Sequence, residues 1–205
     1  MKKINYKILL VTCIVTLFPI ALGLVFYDSL PNEMAVHFNI KNNPDNYLPK
    51  QLFIFGMPVL MMVIHAICCV ITDITDKYPE ANRKMNVVCK LIFPILSNVL
   101  YVVTIMYAVG NKLDIRKIVM FILGILFVVM GNYLPKTKGE INLLKKVSED
   151  EYKKIARISG YLLIFGGLLC LTSNFFSVYV SVLTIALIII ETIGLCLYMH
   201  FKRKN

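Results

Sequence analysis

The sequence predicts an all-α integral membrane protein with six transmembrane helices, both termini in the cytoplasm, and a small ordered outer loop between the first two helices. Three observations predict it. The 205-residue chain is 58% hydrophobic with a mean hydropathy of +0.72, more apolar surface than a soluble domain of that length buries. Its charges gather in short clusters separated by apolar runs of about 17–25 residues, the length a helix needs to cross roughly 30 Å of hydrocarbon. Its Lys and Arg residues, finally, are divided very unevenly between alternate loops.

The six runs cover residues 8–27, 51–72, 91–109, 118–134, 160–176 and 177–201. Each is apolar around its whole circumference, unlike an amphipathic surface helix. Lys2, Lys3 and Lys7 before the first run suit a signal peptide, but that run is long for one and five more follow, so a retained helix is expected. The fourth run is the shortest. The last two are separated only by a turn at Ser173-Asn174 and form a tight hairpin. Pro19, Pro58 and Pro94 fall inside runs, where each removes a backbone bond and kinks its helix. Two modules are expected, residues 1–110 with the outer loop 28–50 and residues 111–205 with an inner loop 135–157.

With the N-terminus inside, seventeen of the 22 basic residues lie in inner segments, and only Lys41, Lys50, Lys112, Arg116 and Lys117 lie outside. The net charge of +10 then reflects topology and attraction to anionic lipid headgroups at the inner leaflet. No basic patch interleaved with aromatics appears, so a direct nucleic-acid partner is not expected. Cys13, Cys68, Cys69, Cys170 and Cys196 lie in runs and Cys89 at the inner face, with no CxxC or Cys/His spacing. No cofactor or metal is implied.

The outer segment 28–50 carries the most information. Met34, Val36, Phe38 and Ile40 alternate with Ala35, His37 and Asn39, the period of a half-buried strand. Lys41-Asn42-Asn43-Pro44-Asp45 is rich in turn formers, after which Asn46-Tyr47-Leu48 returns, so a small hairpin against the helix ends is expected.

Leu30-Pro31, His37-Phe38-Asn39, Pro44-Asp45, Tyr47 and Lys50 together resemble the LPxx(I/M)xxHFN…(G)xPDxYxxK signature of the SdpI family of bacterial immunity proteins. Gly131-Asn132-Tyr133-Leu134-Pro135-Lys136 is similar to that family's GNYLPK element, and Tyr152, Lys154, Arg157 and Gly160 resemble the stretch leading into its fifth helix. Asn43 stands where Gly is common, and a GIRTPWT-like segment between Lys136 and Ser148 is missing and shortened. The resemblance implies an immunity or resistance protein that protects its cell from a secreted peptide toxin. It implies a toxin partner on the outer face and, in some members, a cytoplasmic repressor held at the membrane.

Within the runs, Glu191 is the only deep acidic residue, and a charge near the bilayer centre costs about 2.5–3.5 kcal/mol on insertion scales. Ser177, Ser181, Thr184, Glu191, Gly194 and Tyr198 recur at helical spacing, a polar or small stripe facing the bundle interior. His65 lies at a similar depth, as do Asn98 and Asn132. A polar layer of His65, Asn98, Asn132 and Glu191 is therefore expected, either functional or simply joining helices by hydrogen bonds. His37 with Asp28, Glu33 or Asp45 is weak as a metal site, since no second His accompanies it.

On the inner side, Tyr133, Pro135 and Lys136 suit a helix end at the headgroup level. Ser148 with Glu151 forms a capping box, with Val147 and Tyr152 as its staple. Ile141, Leu143, Leu144 and Val147 among Lys145 and Lys146 suggest a segment resting on the membrane surface. A membrane enzyme would need residues that are absent: no HExxH, GxSxG or Gly-rich phosphate loop occurs. The rival class is a small proton-linked transporter using Glu191 and His65, although no inverted repeat is evident.

Overall fold

The computed structural model describes residues 4–139 and 148–202, and side chains within the last helix through Ile190 and at Ile193 and Gly194. The expected surface segment 141–147, the staple residue Val147 and the side chain of Glu191 lie outside the described residues. The elements in order are α1 (Tyr6–Leu17), α2 (Pro19–Val25), a 3-10 turn (Tyr27–Ser29), β1 (Glu33–Phe38), β2 (Pro44–Pro49), a π-helical turn (Leu52–Gly56), α3 (Met57–Thr75), α4 (Arg83–Ala108), α5 (Ile115–Tyr133), a 3-10 turn (Leu134–Lys136), α6 (Glu149–Ser173) and α7 (Val178–Lys202).

Among the described residues, five helical stretches are long and apolar enough to cross a membrane: Tyr6–Val25, Leu52–Thr75, Arg83–Ala108, Ile115–Lys136 and Glu149–Ser173. Only 22–28% of each apolar window is buried inside the protein, so the rest is left for lipid. This is the pattern of a multi-pass membrane protein. α7 is a further apolar helix, of which Val178–Ile190 has described side chains. The run expected to be shortest, 118–134, is lengthened at both ends and spans 22 residues with its terminal turn. α4 begins at Arg83, eight residues before the apolar run from 91, because helical structure extends well past the hydrocarbon-suited segment.

The chain divides into two compact units, Met1–Thr75 with Cys89–Val119, and Asp76–Val88 with Met120–Asn205. Residues 76–88 thus group with the C-terminal half, a division different from the 1–110 and 111–205 modules read from the sequence.

In the first unit the prolines shape the helices. Pro19 has no N–H and splits the first span into α1 and α2. The Val15 carbonyl therefore lacks its usual donor four residues on. It receives Phe18 N–H at 3.3 Å and the Asn98 side-chain amide from α4 at 3.0 Å. Pro58 likewise deprives the Ile54 carbonyl, which the Tyr101 hydroxyl reaches at 3.4 Å, and the preceding turn is π-helical. Gly23 makes room for that hydroxyl, since a Cβ there would overlap it. Beneath the sheet lies a buried cluster of Leu30, Met34, Phe53, Ile54, Tyr101 and Ile105, with Phe53 stacked on Tyr101 at 4.6 Å.

In the second unit α5 and α6 approach through glycines. A Cβ on Gly131 would lie 2.5 Å from the Gly160 carbonyl, and one on Gly124 would lie 2.8 Å from that of Gly167. Both pairs recur at seven residues, so the two backbones touch along one seam. α6 starts at the expected capping box, with Glu151 N–H donating to Ser148 Oγ at 3.2 Å. Asn174 caps its end, and Ser181 of α7 donates to Ser173 at 3.2 Å across the tight turn.

Candidate functional site

The expected hairpin is present: β1 and β2 pair antiparallel, from Glu33 opposite Pro49 to Phe38 opposite Pro44. Its base is locked by Lys50. The Lys50 N–H donates to the Asn32 carbonyl at 2.8 Å, and its ammonium donates to the carbonyls of Tyr27 and Leu30 at 3.2 and 3.1 Å. The same ammonium lies 4.5 Å from the centre of the Tyr27 ring. These carbonyls flank the 3-10 turn, where the Tyr27 carbonyl also accepts from Leu30 N–H at 3.4 Å, and a cation complements the acceptors gathered there. Leu30 is buried in the apolar cluster, while Pro31 is exposed and leads the chain into β1.

The tip is held by two asparagines. Asn39 Oδ1 accepts from the N–H groups of Lys41 and Asn43 at 2.9 and 3.1 Å. Asn42 has φ of 62°, a left-handed conformation that Asn tolerates better than most residues. From there its amide donates to the Leu113 carbonyl at 2.7 Å, and its Oδ1 accepts from Ile115 N–H at 2.9 Å. One side chain therefore fastens the tip to the loop before α5. Phe38 adds an edge-on contact with Tyr107, 4.9 Å between ring centres.

The alternation read from the sequence holds only in part. Met34 and Ala35 are both buried, and Ile40 is exposed beyond the end of β1. The register explains this. Val36 is an extra residue on β1 and Asp45 an extra residue on β2, two bulges on opposite strands. Bulges redirect side chains, and here His37 Nδ1 meets Asp45 Oδ1 at 2.5 Å. His37 is 67% exposed and Asp45 42%. Tyr47 is also exposed. Among the described residues no group of three His, Cys, Asp or Glu side chains converges, so Asp45 is the sole partner of that kind for His37.

The described members of the expected polar layer, His65, Asn98 and Asn132, have separate partners. His65 is buried on α3, 2.7 Å from Thr12 Oγ1 of α1 and 3.4 Å from the Cys69 sulfur. Asn98 serves the Val15 and Pro94 carbonyls. Asn132 is exposed and accepts from Lys136 Nζ at 3.1 Å. Among the described residues no hydrogen bond joins two members of the set.

A buried ion pair escaped the sequence reading. Lys90 of α4 meets Asp73 of α3 at 2.5 Å, with the two side chains 4% and 11% exposed. Asp73 also accepts from Asn5 N–H at 3.0 Å, so three helices meet there. Lys90 counts among the inner-segment cations of the sequence and Asp73 draws no notice there, because both flank apolar runs.

In the second motif, Gly131 is buried against α6, Tyr133 and Pro135 are half-buried, and Lys136 is exposed. Pro135 packs on Gly160, where a Cβ would come within 2.5 Å of its ring. Arg157 is exposed on α6 and not joined to the motif by any ion pair among the described residues. Asn82, which the sequence did not single out, bonds the Lys138 peptide on both sides.

A family model described as a domain of unknown function, DUF1648, matches residues 14–62. It runs from α1 into α3 and so centres on the hairpin. No curated protein matches the chain, and no solved structure does.

Proposed function

We propose that this chain is a membrane immunity or resistance protein that protects its cell from a secreted antimicrobial peptide. In this reading α7 is the sixth crossing, both termini are cytoplasmic, and the hairpin faces outward. The bias of basic residues supports that orientation.

One observation carries the proposal. The hairpin residues that resemble the immunity signature divide into two groups. Leu30, Phe38 and Lys50 turn inward and seat the hairpin, with Asn39 bracing its tip, while His37, Asp45 and Tyr47 stay exposed on it. A rigid, outward surface of an aromatic ring and a polar pair suits recognition of a peptide before it inserts. The reading is non-enzymatic and needs no cofactor. The cytoplasmic repressor partner, where one exists, would dock on the inner face that includes Arg157.

The test is resistance in a sensitive bacterium expressing the chain, challenged with culture supernatants of closely related strains. The triple variant His37→Ala, Asp45→Ala, Tyr47→Ala is expected to lower survival at least tenfold at unchanged membrane abundance. Undiminished survival would move the activity to the helices or the inner face.

The buried Lys90–Asp73 pair and His65 favour a second reading, a proton-linked transporter, because ionisable groups inside a bundle commonly mark ion paths. Substrate-driven proton flux in liposomes, abolished by His65→Ala, would decide for it.

A further inference from the structure

Asn82 immediately precedes α4, yet both ends of its carboxamide are taken by another part of the chain. Its Oδ1 accepts from Lys138 N–H at 2.7 Å, and its amide donates to the Lys138 carbonyl at 2.7 Å and to Asp76 Oδ1 at 2.9 Å. This clamp holds the segment from Lys136 to Lys138 against the start of α4. A cavity of about 200 Å³ lies between them.

Three cations line it, Arg83, Lys84 and Lys136, against the single carboxylate of Glu80. Among the described residues neither Arg83 nor Lys84 is in an ion pair. Lys136 is oriented by Asn132 Oδ1 and by the Tyr133 ring, 5.3 Å from its centre, both of them neutral groups. All three side chains are exposed, so solvent tempers their mutual repulsion, and an anion placed among them is attracted by all three at once. The helix adds to this, because the first N–H groups of a 26-residue α4 have no partners within it and carry partial positive charge. Arg supplies a planar fork and Lys compact charges, a combination that suits the tetrahedral oxygens of phosphate.

We propose that this cavity binds a phosphate group, either that of an anionic phospholipid headgroup or free phosphate. The site rests on the membrane location and the cavity alone, so it stands or falls separately from the immunity reading.

The purified full-length protein in neutral detergent is titrated with short-chain phosphatidylglycerol, with phosphatidylcholine, and with inorganic phosphate, following the thermal unfolding midpoint. Stabilisation by phosphatidylglycerol alone identifies the lipid headgroup as the source; stabilisation by inorganic phosphate identifies the free anion. The apparent affinity is expected to fall at least tenfold in Arg83→Gln/Lys84→Gln/Lys136→Gln and to stay unchanged in Lys112→Gln/Arg116→Gln/Lys117→Gln, which removes equal charge elsewhere. Glu80→Gln is expected to tighten binding, a gain that misfolding cannot imitate. No response to either probe, an equal response to phosphatidylcholine, or equal loss in both triple variants would overturn the proposal.

Discussion

Asn98 on α4 donates to the Val15 carbonyl of α1, the acceptor that Pro19 leaves without its helical N–H. The side chain of one helix thus completes the backbone of another. Removing the amide with Asn98→Ala is expected to destabilise the protein by about 1 kcal/mol. In a Pro19→Ala background the helix supplies its own donor, and the same change should cost measurably less. Unfolding of all four forms in mixed micelles gives the coupling; strictly additive losses would contradict the pairing.

The Lys90–Asp73 pair makes a prediction of opposite structure. Lys90→Met strands a buried carboxylate and is expected to cost about 3–5 kcal/mol. Adding Asp73→Asn to that variant removes the charge while keeping an acceptor for Asn5 N–H, and should recover a substantial part of the loss. The checking measurement is again the unfolding free energy in micelles. A double variant no more stable than Lys90→Met would show that the pair is not the source of the cost.

Asn42 combines a left-handed backbone with two bonds to the Leu113–Ile115 segment. Asn42→Gly keeps the conformation and loses the bonds; Asn42→Ala loses both, with a further cost of roughly 1 kcal/mol for the left-handed backbone. Hydrogen exchange at residues 39–43 and 113–115 is expected to quicken in the order wild type, glycine, alanine. Equal rates in the two variants would remove the conformational part of the explanation.

Gly131 meets the α6 backbone directly, so Gly131→Val has no room without separating the helices. A loss of about 1–3 kcal/mol or more is expected, against a smaller loss from Gly110→Asn, where the φ of 94° strains the new backbone but open space receives the side chain. Comparison of the two midpoints checks this. Similar midpoints would mean the α5–α6 seam is looser than its geometry implies.

Run length made the apolar helices legible in the sequence, and alternation with turn formers made the hairpin legible, because each follows from local chemistry. The two bulges were not, since an extra residue leaves the composition unchanged while redirecting His37 towards Asp45. Depth along a helix suggested one layer of polar residues, but depth ignores rotation. Asn132, next to buried Gly131, sits about 100° around the helix from it and faces Lys136 one turn on. Asp73 and Lys90 show the converse: both border apolar runs, where charge is common, and only their mutual approach makes them partners shielded from solvent.

The seating of the hairpin has an evolutionary consequence. Lys50, Leu30, Asn39 and Asn42 hold it through backbone carbonyls, backbone amides and apolar contact, none of which consults the residues at positions 37, 45 and 47. Those three positions are free to vary without unseating the platform. In the proposed immunity reading, such an arrangement lets a lineage track a changing adversary at a few surface positions while the scaffold beneath them stays put.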